Sequence, residues 1–157
     1  IGCYSRPETG NHILIGSEDP ECDERIYVDP DNWDDNFTDQ WNAQLYRQAQ
    51  RYPNLPLSSK VKGVVSLYDV SDDWIPIYDK SDLPGFYMAI GSSGNQYKNA
   101  PIAGVMMTKL IDACENGQNH DKEPVKLDLK YINREIDIGF YSRNRVINSE
   151  SSMSVLG

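Results

Sequence analysis

The stretch from Gly85 to Ile111, GFYMAIGSSGNQYKNAPIAGVMMTKLI, limits the fold more than any other part of the chain. FYMAI is a short continuous apolar run, which predicts a strand buried on both faces. Ile102, Val105, Met106, Leu110 and Ile111 recur at helical period and predict an amphipathic helix. Pro101 suits its first turn and Gly117 its stop. Between strand and helix lies a Gly/Ser loop ending in Lys98. Free N–H groups and the dipole at such a helix start favour a nearby negative charge by about 0.3–2 kcal/mol. The same pattern also describes an ordinary strand-to-helix turn with an exposed lysine.

Two sharper motifs fail in this loop. A phosphate loop needs GxxxxGK, but Gln96 stands at its second glycine position after Gly91. A serine nucleophile elbow needs GxSxG, and Gly91-Ser92-Ser93-Gly94 brings the second glycine one residue early. A helix start beside Lys98 suits a delocalised anion such as a reduced flavin, whose negative charge gathers at the pyrimidine end of the ring.

The rest of the chain reads as α+β. Residues 1–6 and 12–16 flank PETGN and predict a hairpin. Phe37, Trp41, Leu45 and Tyr52 fall near helical spacing, with the helix expected to end at Pro53. SKVKGVVSLYDV is rich in β-branched and aromatic residues and predicts a strand, and VKLDLKYI predicts another. The serine-rich tail from Asn148 is expected to be flexible. No internal repeat is visible.

Composition excludes several function classes. Fifteen basic against 24 acidic residues give a net charge of -9, the opposite of a nucleic-acid-binding face. Ten acidic residues lie between Glu18 and Asp39, yet DPDNWDDN lacks the glycine and the distal glutamate of a calcium loop. It reads instead as a solvated loop leading into a helix. Cys3, Cys22 and Cys114 form no CxxC pair, and His12 and His120 are the only histidines, so neither a disulfide framework nor a zinc site is expected. No apolar run reaches membrane-spanning length, and no secretory leader pattern is present. A reducing, cytoplasmic setting is expected. The chain starts at Ile1 rather than methionine and is expected to be a piece of a longer protein.

Three stretches carry a resemblance, in order along the chain. YSRPETGNHILIG is similar to a strand pair often written RPxxGxxLIG. SLYDVSDDWIPIYDKSDLPGFYMAIGSSGNQYKNAPIAG is similar to LYDxTPDWxPIxG followed by GFYxAxGFSGHGFKxAPxxG. IGFYSRNR is similar to FSxxRF. Together they resemble the C-terminal part of the FAD-dependent amine and amino-acid oxidoreductases, which include D-amino-acid oxidase, glycine oxidase, sarcosine oxidase and dimethylglycine dehydrogenase. The resemblance implies hydride transfer from a substrate C–N bond to FAD, giving an imine that water hydrolyses. It implies a mixed, largely antiparallel sheet with flanking helices as substrate domain, followed by the last strand and helix of the flavin domain. Residues 1–70 would belong to the first, 71–147 to the second, and 148–157 to a flexible tail.

By the same resemblance, Gly91, Ser92, Ser93, Gly94, Asn95, Gln96, Tyr97 and Lys98 form the flavin loop. Tyr68 would end a strand facing the substrate, and Asn95 stands where sarcosine oxidases have a histidine. Tyr68, Asn95 and Lys98 are thus the catalytic candidates. Gln96 replaces a usual glycine. Ser66 stands where some sarcosine oxidases link flavin through cysteine, so FAD would be non-covalent. The carboxylate-binding arginine is not placed: Arg6 reads as structural, and Arg143 and Arg145 read either as packing near the cofactor or as surface residues. No GxGxxG opens a βαβ unit here. The dinucleotide-binding segment would lie upstream, these residues alone would lack FAD and activity, and FYMAI would lack its parallel partners and favour self-association. The expected partners are a small amino-acid or amine substrate and that segment, with no nucleic acid and no membrane. The alternative is a non-catalytic α+β domain that binds a ligand or protein without a cofactor.

Overall fold

The structure, a computed structural model, describes residues 3–17, 26–57 and 61–151. It is α+β, with three two-stranded antiparallel ladders and two α-helices among the described residues. The chain divides into two compact units, Ile1–Leu67 and Tyr68–Gly157. Cys22, most of the acidic run before Ile26 and the tail beyond Ser151 lie outside the described residues.

In the first unit, β1 (Cys3–Glu8) and β2 (His12–Ser17) form the expected hairpin, with Arg6 opposite Leu14. Gly10 and Asn11 take positive φ in the turn, the conformation that tight hairpin turns demand. Helix α1 (Asp39–Ala49) starts at Thr38, whose side chain accepts from the Trp41 N–H at 3.1 Å. Its buried face is Gln44, Leu45, Gln48 and Ala49. Both glutamines reach the hairpin: Cys3 Sγ donates to Gln44 Oε1 at 3.4 Å, and Gln48 Nε2 donates to Ser5 Oγ at 2.9 Å, while Gln48 Oε1 is buried with no partner among the described residues. Phe37 stacks on Trp41 at 4.2 Å before the helix begins.

The helix stops three residues short of the expected Tyr52. Arg51 and Tyr52 instead make tighter i→i+3 turns onto Gln48 and Ala49, because Pro53 disfavours the α conformation at the residue before it. The described part of the acidic loop has its carboxylates exposed, as expected. Asp29 Oδ1 accepts from the Asp31 N–H at 2.9 Å and Asp34 Oδ1 from the Asn36 N–H at 3.0 Å, so both carboxylates cap their own turns.

In the second unit, β3 (Ile77–Lys80) and β4 (Tyr87–Ile90) pair antiparallel, with Tyr78 opposite Ala89. The loop Gly91–Gln96 and a 3-10 turn at Tyr97–Asn99 lead into α2 (Ala100–Glu115), which packs back on this ladder. Gly117, at φ +93°, ends the helix where expected. Strands β5 (Lys126–Leu129) and β6 (Arg134–Asp137) form the third ladder, and a 3-10 turn at Ile138–Tyr141 follows. The core is Tyr78, Met106, Leu110, Val125 and Ile138.

Three expectations are corrected. Residues 61–70 form no strand, because a β-prone run needs a ladder partner and none among the described residues offers one. FYMAI is not buried on both faces: Phe86 and Ile90 are about half exposed, since among the described residues β4 pairs only with β3. The apolar stripe of α2 is rotated. Met106 and Leu110 are buried with Ala103, Met107 and Cys114 against them, whereas Val105 and Ile111 face outward. The helix covers a two-stranded ladder, so only one narrow face finds cover.

Candidate functional site

The strand-to-helix junction at Gly91–Lys98 is built around a carboxylate of its own chain. Asp69 Oδ2 accepts from the N–H groups of Gly91 at 2.9 Å and Ser92 at 3.1 Å. Its Oδ1 accepts from Ser92 Oγ at 2.5 Å, and its carbonyl from the Ser93 N–H at 3.0 Å. Partial burial pushes the Asp69 carboxyl up. The Ser92 hydroxyl and the Ser92 and Gly91 N–H groups outweigh that and hold it below the ordinary value. The first donors of the loop are therefore already occupied by an anion.

Gly91, Ser93 and Gly94 all take left-handed backbone, at φ +67°, +50° and +76°. Ser93 is fully buried, its hydroxyl donating to the Gly91 carbonyl at 3.2 Å. At Gly94 a side chain is excluded twice over. The conformation disfavours it, and a Cβ would stand 2.6 Å from Cε1 of Tyr68. The Tyr68 ring thus lies directly on the loop. The structure brings together two regions that the sequence separates by more than twenty residues.

Beyond Gly94 the candidates diverge. Asn95 is buried, whereas Tyr97 is almost wholly exposed and Lys98 is exposed. Gln96, in place of a glycine, has ordinary right-handed backbone at φ -88°, so no glycine is required there. Its side chain turns inward: Oε1 accepts from Tyr78 Oη at 3.2 Å and from Asn99 Nδ2 at 3.1 Å, and Nε2 donates to Asn95 Oδ1. Neither Gln96 nor Asn99 caps the helical segment it precedes with its side chain. A shallow recess of about 290 Å³ opens beside them, lined among others by Pro76, Phe140, Tyr141 and Glu150.

These features decide how far the loop fits a flavin. The uncapped start at Gln96–Asn99, with Lys98 exposed on it, suits an electron-rich edge. Gly91 and Ser92 do not, because Asp69 holds their N–H groups. Ser66 is exposed and lies in the other unit, Ile1–Leu67. Among the described residues no cluster of histidine, cysteine or acidic side chains could hold a metal ion, and no helix is long and apolar enough to cross a membrane.

The three arginines singled out in the sequence, Arg6, Arg143 and Arg145, each meet a carboxylate. Arg6 pairs with Glu8 at 3.1 Å on the surface. Arg145 is nearly buried: Nε donates to Asp73 Oδ2 at 3.0 Å, Nη2 to Asp73 Oδ1 at 2.6 Å and Nη2 to the Ile75 carbonyl at 2.8 Å. That guanidinium is the main reason the Asp73 carboxyl sits far below its ordinary range. Arg143 bridges Asp79 at 3.1 Å, Asp121 at 2.8 Å and Asp82 at 2.5 Å. With Lys80, which meets Asp121 at 2.7 Å, it brings the Asp121 carboxyl down to about 2.

Asp79 is fully buried and also accepts from Ser142 Oγ and from the Lys80 and Arg143 N–H groups. His120 Nδ1 accepts from the Val125 N–H at 3.0 Å, which leaves the ring proton on Nε2. Burial lowers the His120 pKa against the pull of Asp79, 3.7 Å away, and keeps the ring neutral. The two arginines of YSRNR therefore tie the C-terminal segment to the stretch around β3. Sequence reasoning missed Asp69, Asp73 and Asp79. A signal was available for Asp79, a carboxylate inside the otherwise apolar run WIPIYDK that has to find a cationic partner once folded; for Asp69 and Asp73 the local sequence carries none.

The chain belongs to the family of FAD-dependent oxidoreductases, whose family model matches residues 1–110. That span holds the hairpin, Tyr68, Asp69 and the whole Gly91–Lys98 loop, and it stops within α2. No curated protein and no solved structure matches the chain.

Proposed function

We propose that the chain forms part of a flavin-dependent enzyme that oxidises the C–N bond of a small amino acid such as sarcosine, dimethylglycine or glycine. In this reading residues 1–70 contribute to the substrate domain and residues 71–147 to the flavin domain. A dinucleotide-binding segment outside these residues completes the site, and β4, with Phe86 just before it, is where its sheet would join or where two copies would meet. FAD, when bound, supplies the two-electron acceptor.

The observation that carries this reading is the Tyr68 ring lying on Gly94, next to an uncapped helix start that presents Lys98. It puts a phenol and an ammonium group at one junction within the family-matched residues. Tyr68 would bound the substrate side, Asn95 would brace the loop from within, and Lys98 would face the pyrimidine edge.

Lys98 offers the test. A lysine about 4 Å from the negative charge of a reduced flavin gains about 4 kcal/mol at an effective dielectric near 20. Lys98 is exposed, and solvent screening reduces this to about 1 kcal/mol, or roughly fivefold. In the full-length protein, Lys98→Met should lower the flavin potential and slow its reduction by that factor, with substrate binding changed less. Stopped-flow reduction and a potential titration read both. An unchanged potential would show Lys98 to be surface charge, and activity confined to bulky primary D-amino acids would overturn the substrate class.

A further inference from the structure

We propose that Asp69 is the positioning residue of the Gly91–Lys98 loop, an internal anion that occupies the first N–H groups so that any cofactor contact falls on Gln96–Lys98. The geometry is specific. One carboxylate takes the N–H of Gly91, the N–H of Ser92 and the Ser92 hydroxyl within 3.1 Å, and the same residue's carbonyl takes the Ser93 N–H at 3.0 Å. Three successive loop donors thus end on one residue.

The arrangement solves a local problem. Ser93 and Gly94 are both left-handed, a costly conformation for serine that persists only when neighbouring contacts impose it. Asp69 supplies those contacts from the chain just after Tyr68, so the bonds that shape the loop also bring the Tyr68 ring onto Gly94. Phenol and loop move together. A bound anion would otherwise be drawn to the Gly91 and Ser92 N–H groups. With Asp69 there it is repelled from that end and directed toward Lys98.

The inference about the cofactor rests on the proposed flavin reading; the inference about the loop does not. Hydrogen exchange with residue-level mass spectrometry on the full-length protein separates them. Asp69→Ala should speed exchange at Gly91 and Ser92 about tenfold or more, the scale of losing a charge-assisted hydrogen bond. Exchange across the β5–β6 ladder should stay unchanged and reports that the unit is folded. If Asp69→Ala does not fold, the same comparison in Asp69→Asn decides. Exchange equal to wild type at Gly91 and Ser92 in a folded variant overturns the role of Asp69.

A second arm adds FAD to wild type stripped of flavin. New protection confined to residues 96–98 is the expected result, and new protection at Gly91 and Ser92 overturns the internal-anion role. Flavin that fails to bind wild type at all counts against the proposed function alone, since the first arm still decides the role of Asp69.

Discussion

Replacing Arg145 with methionine should cost the second unit about 3–5 kcal/mol, the scale of breaking one side of a buried ion pair. Asp73 is fully buried, and Arg145 meets both its carboxylate oxygens, at 3.0 and 2.6 Å. Without the guanidinium, Asp73 keeps only the Ile75 N–H at 3.2 Å, the Ser71 hydroxyl at 3.2 Å and the Asn148 N–H at 3.4 Å. These neutral donors do not offset a buried charge. Arg145 also holds the Ile75 carbonyl, on the far side of Trp74, whose backbone is left-handed at φ +60°. A bulky residue in that conformation stores about 1–3 kcal/mol, which the clamp on both flanks keeps in place. The loss is a large share of the 5–15 kcal/mol typical of a folded protein. The double variant Asp73→Asn with Arg145→Met should recover about 2 kcal/mol or more, because no charge is then left unpaired. Urea unfolding at neutral pH, with hydrogen exchange across Ile77–Lys80, measures all corners of the cycle. A single-variant cost under about 1 kcal/mol, the worth of a surface pair, or a cycle additive within about 0.5 kcal/mol, would refute the reasoning.

Acid should find the same clamps. Asp73 and Asp121 have folded pKa values below the ordinary 3.8, so their stabilisation is complete above that pH and is lost as pH falls through about 2 for Asp121 and lower for Asp73; near-ultraviolet circular dichroism should follow the loss, and Arg145→Met should move it to higher pH. Gly94→Ala should destabilise the loop by about 1–3 kcal/mol through strain and the clash with Tyr68, and adding Tyr68→Ala should relieve only the clash part in thermal melts. Tyr87 donates to Glu115 Oε1 at 2.7 Å, and burial together with that carboxylate pushes its phenol up to about 12. Its contribution is present below the unfolded value near 10 and lost as pH rises through about 12; ultraviolet titration should show this tyrosine ionising nearer 10 in Glu115→Gln.

Much of the fold could be read from local pattern. The Cys3–Ser17 hairpin, α2 with its glycine stop and the β5 strand each depend on turn chemistry and periodicity within a few residues. Residues 61–70 could not be read that way. Their β-prone composition fits a strand equally well, and only the lack of a partner among the described residues leaves them unpaired. The exposure of Phe86 and Ile90 is of the same kind, since burial depends on what stands across the strand and not on the strand.

For the site, local pattern is enough to give the kind of junction: a strand, a glycine and serine loop, a lysine and a helix start, within a chain of the FAD-dependent oxidoreductase family. Which of its donors are taken depends on long-range contacts. Asp69 comes back to Gly91 and Ser92 across 22 and 23 residues, Tyr68 lands on Gly94, and Arg145 reaches Asp73 across 72. Such pairings leave no period in the sequence. They are set by the need of each buried charge and each left-handed turn for a partner, and the chain can meet that need only once it has closed on itself.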